Sequence, residues 1–175
     1  IGFGHSEELA LKVPSGTSGG RALWQDFAAR IDTYDRARNF PAVKGPSYLG
    51  VHLRFGTLSI RELARDAYER MQAGSPGAAT WLSELIWRDF YQQLMAHFPH
   101  AMERSFKPAY DAIAWETGAQ ADALWTAWQT GQTGYPLVDA AMEQLNQTGY
   151  MHNRLRMVVA SFLAKDLGLD WRRGE

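Results

Sequence analysis

Apolar positions along the chain recur at helical spacing. Leu23, Trp24, Phe27 and Ile31 fall three or four apart behind Thr17 and Ser18, which predicts a helix capped by one of those hydroxyls. Pro41 and the run Lys44-Gly45-Pro46-Ser47 predict a loop. Ser59-Ile60-Arg61-Glu62 has the form of a capping box, and Leu63, Ala67 and Met71 follow on one face. A turn is expected over 74–77 and a long helix from about 78 to 97, ending before Pro99. The stretch 99–119 has no legible period. A short helix is expected over 121–129 with Gly131 after it. Pro136 suits the first position of the next helix, with Gly149 as its stop. A further helix runs over 153–167 to Gly168, and Asp170 can cap one more. Residues 1–16 carry Gly, Pro and Ser without a period and read as linker or tail. No segment alternates with period two. The pattern predicts an all-α fold of six or seven helices in one layer-packed unit.

The long helix carries more chemistry than a structural helix needs. At 3.6 residues per turn, Leu82, Leu85, Ile86 and Phe90 cover one side, while Trp81, Glu84, Trp87, Arg88 and Tyr91 cover the other. Both sides are largely apolar or aromatic, so the helix is expected to be buried or half-buried all round. A structural reading makes Glu84 and Arg88 an i,i+4 ion pair among core aromatics. A functional reading makes the aromatic side a flat-walled pocket oriented by those two charges. A second cluster, His152-Asn153-Arg154-Leu155-Arg156-Met157, opens a helix. Asn153, Arg156 and Met157 share a face, and Arg154 points elsewhere. Asn153 can equally be a plain N-cap, Met157 a core filler and Arg154 a solvated cation.

Composition narrows the function. The net charge is −1, so any nucleic-acid contact is expected to be a local basic patch. Only four of the 18 basic residues are Lys. Arg suits phosphate and carboxylate recognition, although genomic base composition explains the bias as well. The chain has no cysteine, so neither a disulfide framework nor a thiolate metal site is available. His97 and His100 alone approach ligand spacing, and they read as helix-end residues, so no metal is expected. Dinucleotide-binding, Walker and nucleophile-elbow signatures are absent from the sequence. No apolar run is long enough to span a membrane, and the start has no signal-peptide pattern. The missing initial Met and the severed last helix lead us to expect a piece of a longer protein.

Four motifs carry a resemblance. They are Leu53-Arg54-Phe55-Gly56-x-Leu58-Ser59, Trp81-x-x-Glu84-Leu85-x-Trp87-Arg88-Asp89-Phe90-Tyr91, Thr133-Gly134-Tyr135-Pro136-Leu137-Val138-Asp139-Ala140-Ala141-Met142, and the run from Asn153 through Leu167 followed by Trp171-Arg172. Over about residues 18–175 the chain resembles class I DNA photolyases and their cryptochrome relatives. The resemblance implies a partial FAD-binding helical domain over 17–175, and makes 1–16 the linker from an N-terminal antenna domain. The antenna chromophore site then lies outside this chain.

The resemblance also implies roles. Tyr34, Ser47, Leu49, Gly50, Trp81, Arg88, Asn153 and Arg156 would serve FAD, with the 47–50 loop cradling its pyrophosphate through backbone and hydroxyl groups. Glu84, Trp87, Asn153 and Met157 would meet the lesion: Glu84 stabilises its radical anion as a protonated or proton-sharing acid, and Trp87 stacks on it. Arg38 and Arg154 would contact DNA backbone. Trp115 and Trp171 would pass electrons to FAD. The activity implied is light-driven repair of cyclobutane pyrimidine dimers, on damaged duplex or single-stranded DNA. The expected protein is monomeric, cytoplasmic and associated with the nucleoid. A cryptochrome-type photoreceptor and a cofactor-free helical DNA-binding module are the alternatives. Pro46 and Gly50 depart from the family's usual Thr and Ser, Glu143 from Arg or Ala, and Tyr150 from Trp. Because family residues beyond Trp171 complete the flavin pocket, this chain alone is expected to bind FAD weakly or not at all and to repair nothing.

Overall fold

A computed structural model of the chain describes residues 14–174. The linker reading of residues 1–13 lies outside them. Among the described residues every regular element is helical. In place of one layer-packed unit, the described residues divide into two compact units, 14–113 and 114–174.

The first unit is built on α1 (Gly16–Ala28), α2 (Tyr34–Ala37), α3 (Gly50–Phe55), α4 (Ile60–Gln72) and α5 (Pro76–His97). Helix α1 begins earlier than Thr17 and Ser18 suggested, with Ser15 at the cap position. At α4 the expected cap is present: the Ser59 hydroxyl accepts from the Glu62 N–H, and Leu63 and Ala67 turn inward. The 74–77 turn is only half correct. Gly74 turns the chain at φ 96°, but Ser75 already caps α5 by accepting from the Ala78 N–H, and Pro76 occupies its first turn. Gly77 therefore lies inside α5, against the backbone of Ile31 and Asp32.

The core of this unit gathers Phe27, Ile31, Leu49, Leu63, Ala78, Trp81 and Leu85. Trp81 is 3% exposed and packs its ring 5.2 Å from both Trp24 and Phe27. This overturns the expected division of α5 into two sides. Trp81 joins Leu85 in the core, whereas Ile86 is 62% and Trp87 52% exposed, with Phe90 and Tyr91 also outward. The helix is not covered all round, because its buried positions end at Leu85.

In the second unit, α6 (Ala119–Thr130), α7 (Pro136–Thr148) and α8 (Asn153–Ser161) pack around Trp128, Met142, Leu155, Phe162 and Leu163. The buried Trp128 indole donates to the Val159 carbonyl at 3.0 Å, tying α6 to α8. Gly131 and Gly149, at φ 68° and 66°, stop α6 and α7 where the sequence placed their ends. The helix expected over 153–167 runs as α8 and then one π turn, Phe162–Asp166. Asp170 caps a short 3₁₀ turn, Trp171–Gly174, by accepting from the Arg172 N–H. The illegible stretch 99–119 holds two short 3₁₀ turns. No described helix is long and apolar enough to cross a membrane.

Candidate functional site

In the first unit, three of the sequence-derived residues form a continuous chain. The Arg38 guanidinium lies 5.4 Å from the centre of the Tyr34 ring and donates to Glu84 Oε1 at 2.5 Å. Both charged groups are partly buried, so this contact is stronger than an exposed pair of the same length. Helices α2 and α5 bring the partners together across 46 residues, a distance no sequence period could reveal. The i,i+4 pair between Glu84 and Arg88 is not formed. Arg88 donates instead to the Leu53 carbonyl at 3.2 Å, and with the Gln92 amide turned it also reaches that side chain's oxygen at 3.0 Å. Arg38, expected on DNA backbone, is thus engaged by a carboxylate in this structure.

One turn beyond Glu84, Trp87 packs 5.5 Å from Phe90, edge to face, and lies 5.9 Å from Tyr91 in a stacked arrangement. All three rings stay about half open, which leaves flat apolar faces free to meet a planar group. Trp81, assigned to the same wall, is spent on the core and presents no open face.

The loop leading into α3 is shaped by its backbone. Tyr48 takes the left-handed conformation at φ 57°, uncommon outside glycine, and Leu49 behind it is fully buried. Leu49 therefore offers only its backbone. The Ser47 hydroxyl accepts from the Leu49 N–H, and open space lies where a side chain at Gly50 would stand. A turned loop bracketed by Ser47 and Gly50 suits a phosphate ester. Ser47 and Gly50 are compatible there with the phosphates of a dinucleotide cofactor, whereas the buried Trp81 shows it no open ring.

In the second unit, His152 caps α8: its Nδ1 accepts from the Arg154 N–H at 3.1 Å. The cap belongs to His152 and leaves Asn153 exposed in the first turn. Asn153, Arg156 and Met157 share the exposed face, as the periodicity predicts. Arg156 is steadied by the Met151 carbonyl at 3.3 Å. Arg154 does not point away from this face, because its guanidinium lies 3.7 Å from the Met157 sulfur. His152 itself is buried, and burial, then the nearby Arg154 charge, hold its pKa below the ordinary imidazole value. Trp115 and Trp171 are half-buried. Trp171 lines a hollow of about 320 Å³ with Trp128, Met142, Met151 and Arg156.

Two contributors escaped the sequence reading. Asp139 accepts from the Thr133 hydroxyl and N–H at 2.6 and 2.8 Å and from the Gly134 N–H at 2.9 Å, fixing the Thr133–Pro136 bend. Those donors, the Thr133 hydroxyl first, lower its pKa. An Asp six residues beyond a Thr-Gly pair was the available signal. Arg30 carried no signal beyond being an Arg near a helix end.

Comparison with known proteins identifies the family. Residues 81–175 match the sequence family described as the FAD binding domain of DNA photolyase. The deoxyribodipyrimidine photo-lyase of Vibrio cholerae is 50% identical over 159 residues, 89% of this chain and 33% of that protein. A bacterial class III photolyase from Agrobacterium tumefaciens superposes with a TM-score of 0.84 at 37% identity, over 91% of this chain and 33% of that one. A Synechocystis cryptochrome superposes with a TM-score of 0.81 at 32% identity, over 99% of this chain and 37% of that one. The chain spans between 24% and 36% of the lengths of the first three curated relatives it matches. Sequence family, helical architecture and the motifs on α5 and α8 agree, and the chain belongs to the FAD-binding domain family of the DNA photolyases.

Proposed function

We propose that this chain supplies the cofactor loop and the lesion-facing helices of a photolyase that repairs cyclobutane pyrimidine dimers in DNA with light. The observation that carries the reading is the Glu84 carboxylate, held by Arg38 one turn from the open Trp87 ring. A dimer pairs poorly, so turning it out of the duplex costs less than turning out normal bases; photolyases are themselves a named case of base flipping. Trp87 gives the extruded dimer a flat apolar face. Arg38 occupies Glu84 Oε1 and leaves Oε2 for the substrate. A polar group fixed in advance beside developing charge needs little reorganisation when that charge appears. Asn153 and Met157 stand exposed on α8, where an amide and a thioether can meet a base pair, and Arg154 can reach phosphate.

FAD, when bound, supplies the electron for this chemistry. In the first unit, Tyr34, the Ser47–Gly50 backbone and Arg88 would hold it. Trp115 and Trp171 would carry electrons toward it. Such a protein acts in the cytoplasm, on chromosomal DNA.

In a repair-competent protein carrying this sequence, Glu84→Ala should lower dimers reversed per absorbed photon while lesion binding changes little. An unchanged yield would refute the role. A photoreceptor without repair is the second reading, favoured by the likeness to a cryptochrome. Light reduction of FAD without any dimer reversal, Glu84 and Trp87 intact, would select it.

A further inference from the structure

The densest polar convergence outside the Glu84 chain is a single guanidinium. Arg30, just past α1, donates from Nη1 to the carbonyls of Lys44 and Gly45 at 2.5 and 2.9 Å, and from Nη2 to that of Pro46 at 2.8 Å. Its position is set from the other side as well. The group lies 5.1 Å from the centre of the fully buried Phe27 ring, and Asp26 accepts from it one turn back. Asp26 also takes the Lys44 ammonium at 2.8 Å, so the loop is tied to α1 by backbone and side chain together.

The consequence is directional. In a planar trans peptide, the N–H points opposite to the C=O. With the Pro46 carbonyl held on Arg30, the Ser47 N–H points away from that guanidinium. Immediately beyond, Tyr48 holds its left-handed φ of 57° between the Arg30 anchor and the fully buried Leu49. A strained residue of this kind persists only where its surroundings over-determine it.

We propose that Arg30 is a positioning residue: it clamps residues 44–46 so that the Ser47 N–H and the turn that follows it face outward as a phosphate cradle. The inference rests on the cofactor reading above for the ligand, but not for the clamp. Arg30 touches no ligand, and it acts through the loop. Lys at this position keeps the charge but gathers its donors on one atom, so it cannot serve three carbonyls with the same geometry.

The test uses the flavin-free form of a repair-competent protein carrying this sequence, with Arg30→Met and Arg30→Lys. Amide hydrogen exchange is followed at the hydrogen-bonded loop amides of Val43, Gly45, Leu49 and Leu53, with α4 amides as the internal control. Binding is probed with ADP, which carries a pyrophosphate, against adenosine, which does not. Exchange at the loop should rise about 10-fold or more in Arg30→Met, with α4 little changed, since a local opening is being released. Arg30→Lys should fall between. The preference for ADP over adenosine should vanish in Arg30→Met and be partly kept in Arg30→Lys. Unchanged loop exchange overturns the clamp. A loosened loop with intact ADP preference overturns its link to phosphate. Absence of ADP preference in the unaltered chain overturns the cradle itself, while the exchange result still judges the clamp.

Discussion

Gly77 is a position where one methyl group decides between two opposing effects. Alanine raises helix propensity by up to about 1 kcal/mol over glycine. A Cβ there would nevertheless lie 1.9 Å from the Ile31 carbonyl oxygen and 2.7 Å from the Asp32 carbonyl carbon. Backbone cannot swing aside as a side-chain tip can, and overpacking of this kind costs about 1–3 kcal/mol or more. Sterics should win: Gly77→Ala lowers the unfolding midpoint, and a raised Tm would show that α5 can slide. Arg38 presents a similar choice. Removing it strips Glu84 of its partner, so Arg38→Ala should reduce repair yield in the same direction as Glu84→Ala. The double variant should fall short of the summed losses in a double-mutant cycle, because both act through one contact. Additive losses would separate the two residues.

At the scale of elements, two connections show how side chains fix helix ends. Asp139 satisfies three donors of the Thr133–Pro136 bend. Asp139→Ala should lower the stability of the second unit, because the three donors lose a partner already fixed in place; denaturant melts check it. His152 caps α8 through Nδ1, which can accept only while the ring is neutral. Its folded pKa lies below the ordinary value of 6.5. The unfolded chain therefore takes up a proton first as pH falls. The stabilisation is complete above about 6.5, declines as acid is added through the window beneath it, and is gone once pH has passed the folded value. His152→Asn retains a capping oxygen without titrating there, so it should flatten that portion of the stability profile. An unaltered profile would assign the acid sensitivity to other groups.

Across the whole molecule, the two units have separate cores. Leu163 is fully buried in the second, so Leu163→Ala should cost that unit about 2–5 kcal/mol. Segment-resolved hydrogen exchange should accelerate in α6–α8 more than in α4 and α5; equal acceleration would mean that the units open together. The cofactor expectation belongs to this scale too. A chain spanning a quarter to a third of its relatives' length offers only part of a flavin's contacts, so the purified chain should show little bound-flavin absorption. A stoichiometric flavin spectrum would reverse that expectation.

What sequence alone could determine was local or inherited. The Ser59 cap, the Gly131 and Gly149 stops and the shared face of Asn153, Arg156 and Met157 follow from contacts within one or two turns, and the four motifs carried the family. The side of α5 that is buried did not follow. Trp81 and Trp87 are equally apolar, and Trp24 and Phe27, more than fifty residues upstream, draw one into the core and leave the other open. Nor could spacing pair Glu84 with Arg38 in preference to Arg88, or set three carbonyls on Arg30. A helix period encodes neighbours along the chain. Which residue meets a charge or an aromatic face across the chain is settled when helices pack, because burial and desolvation act on the assembled surface.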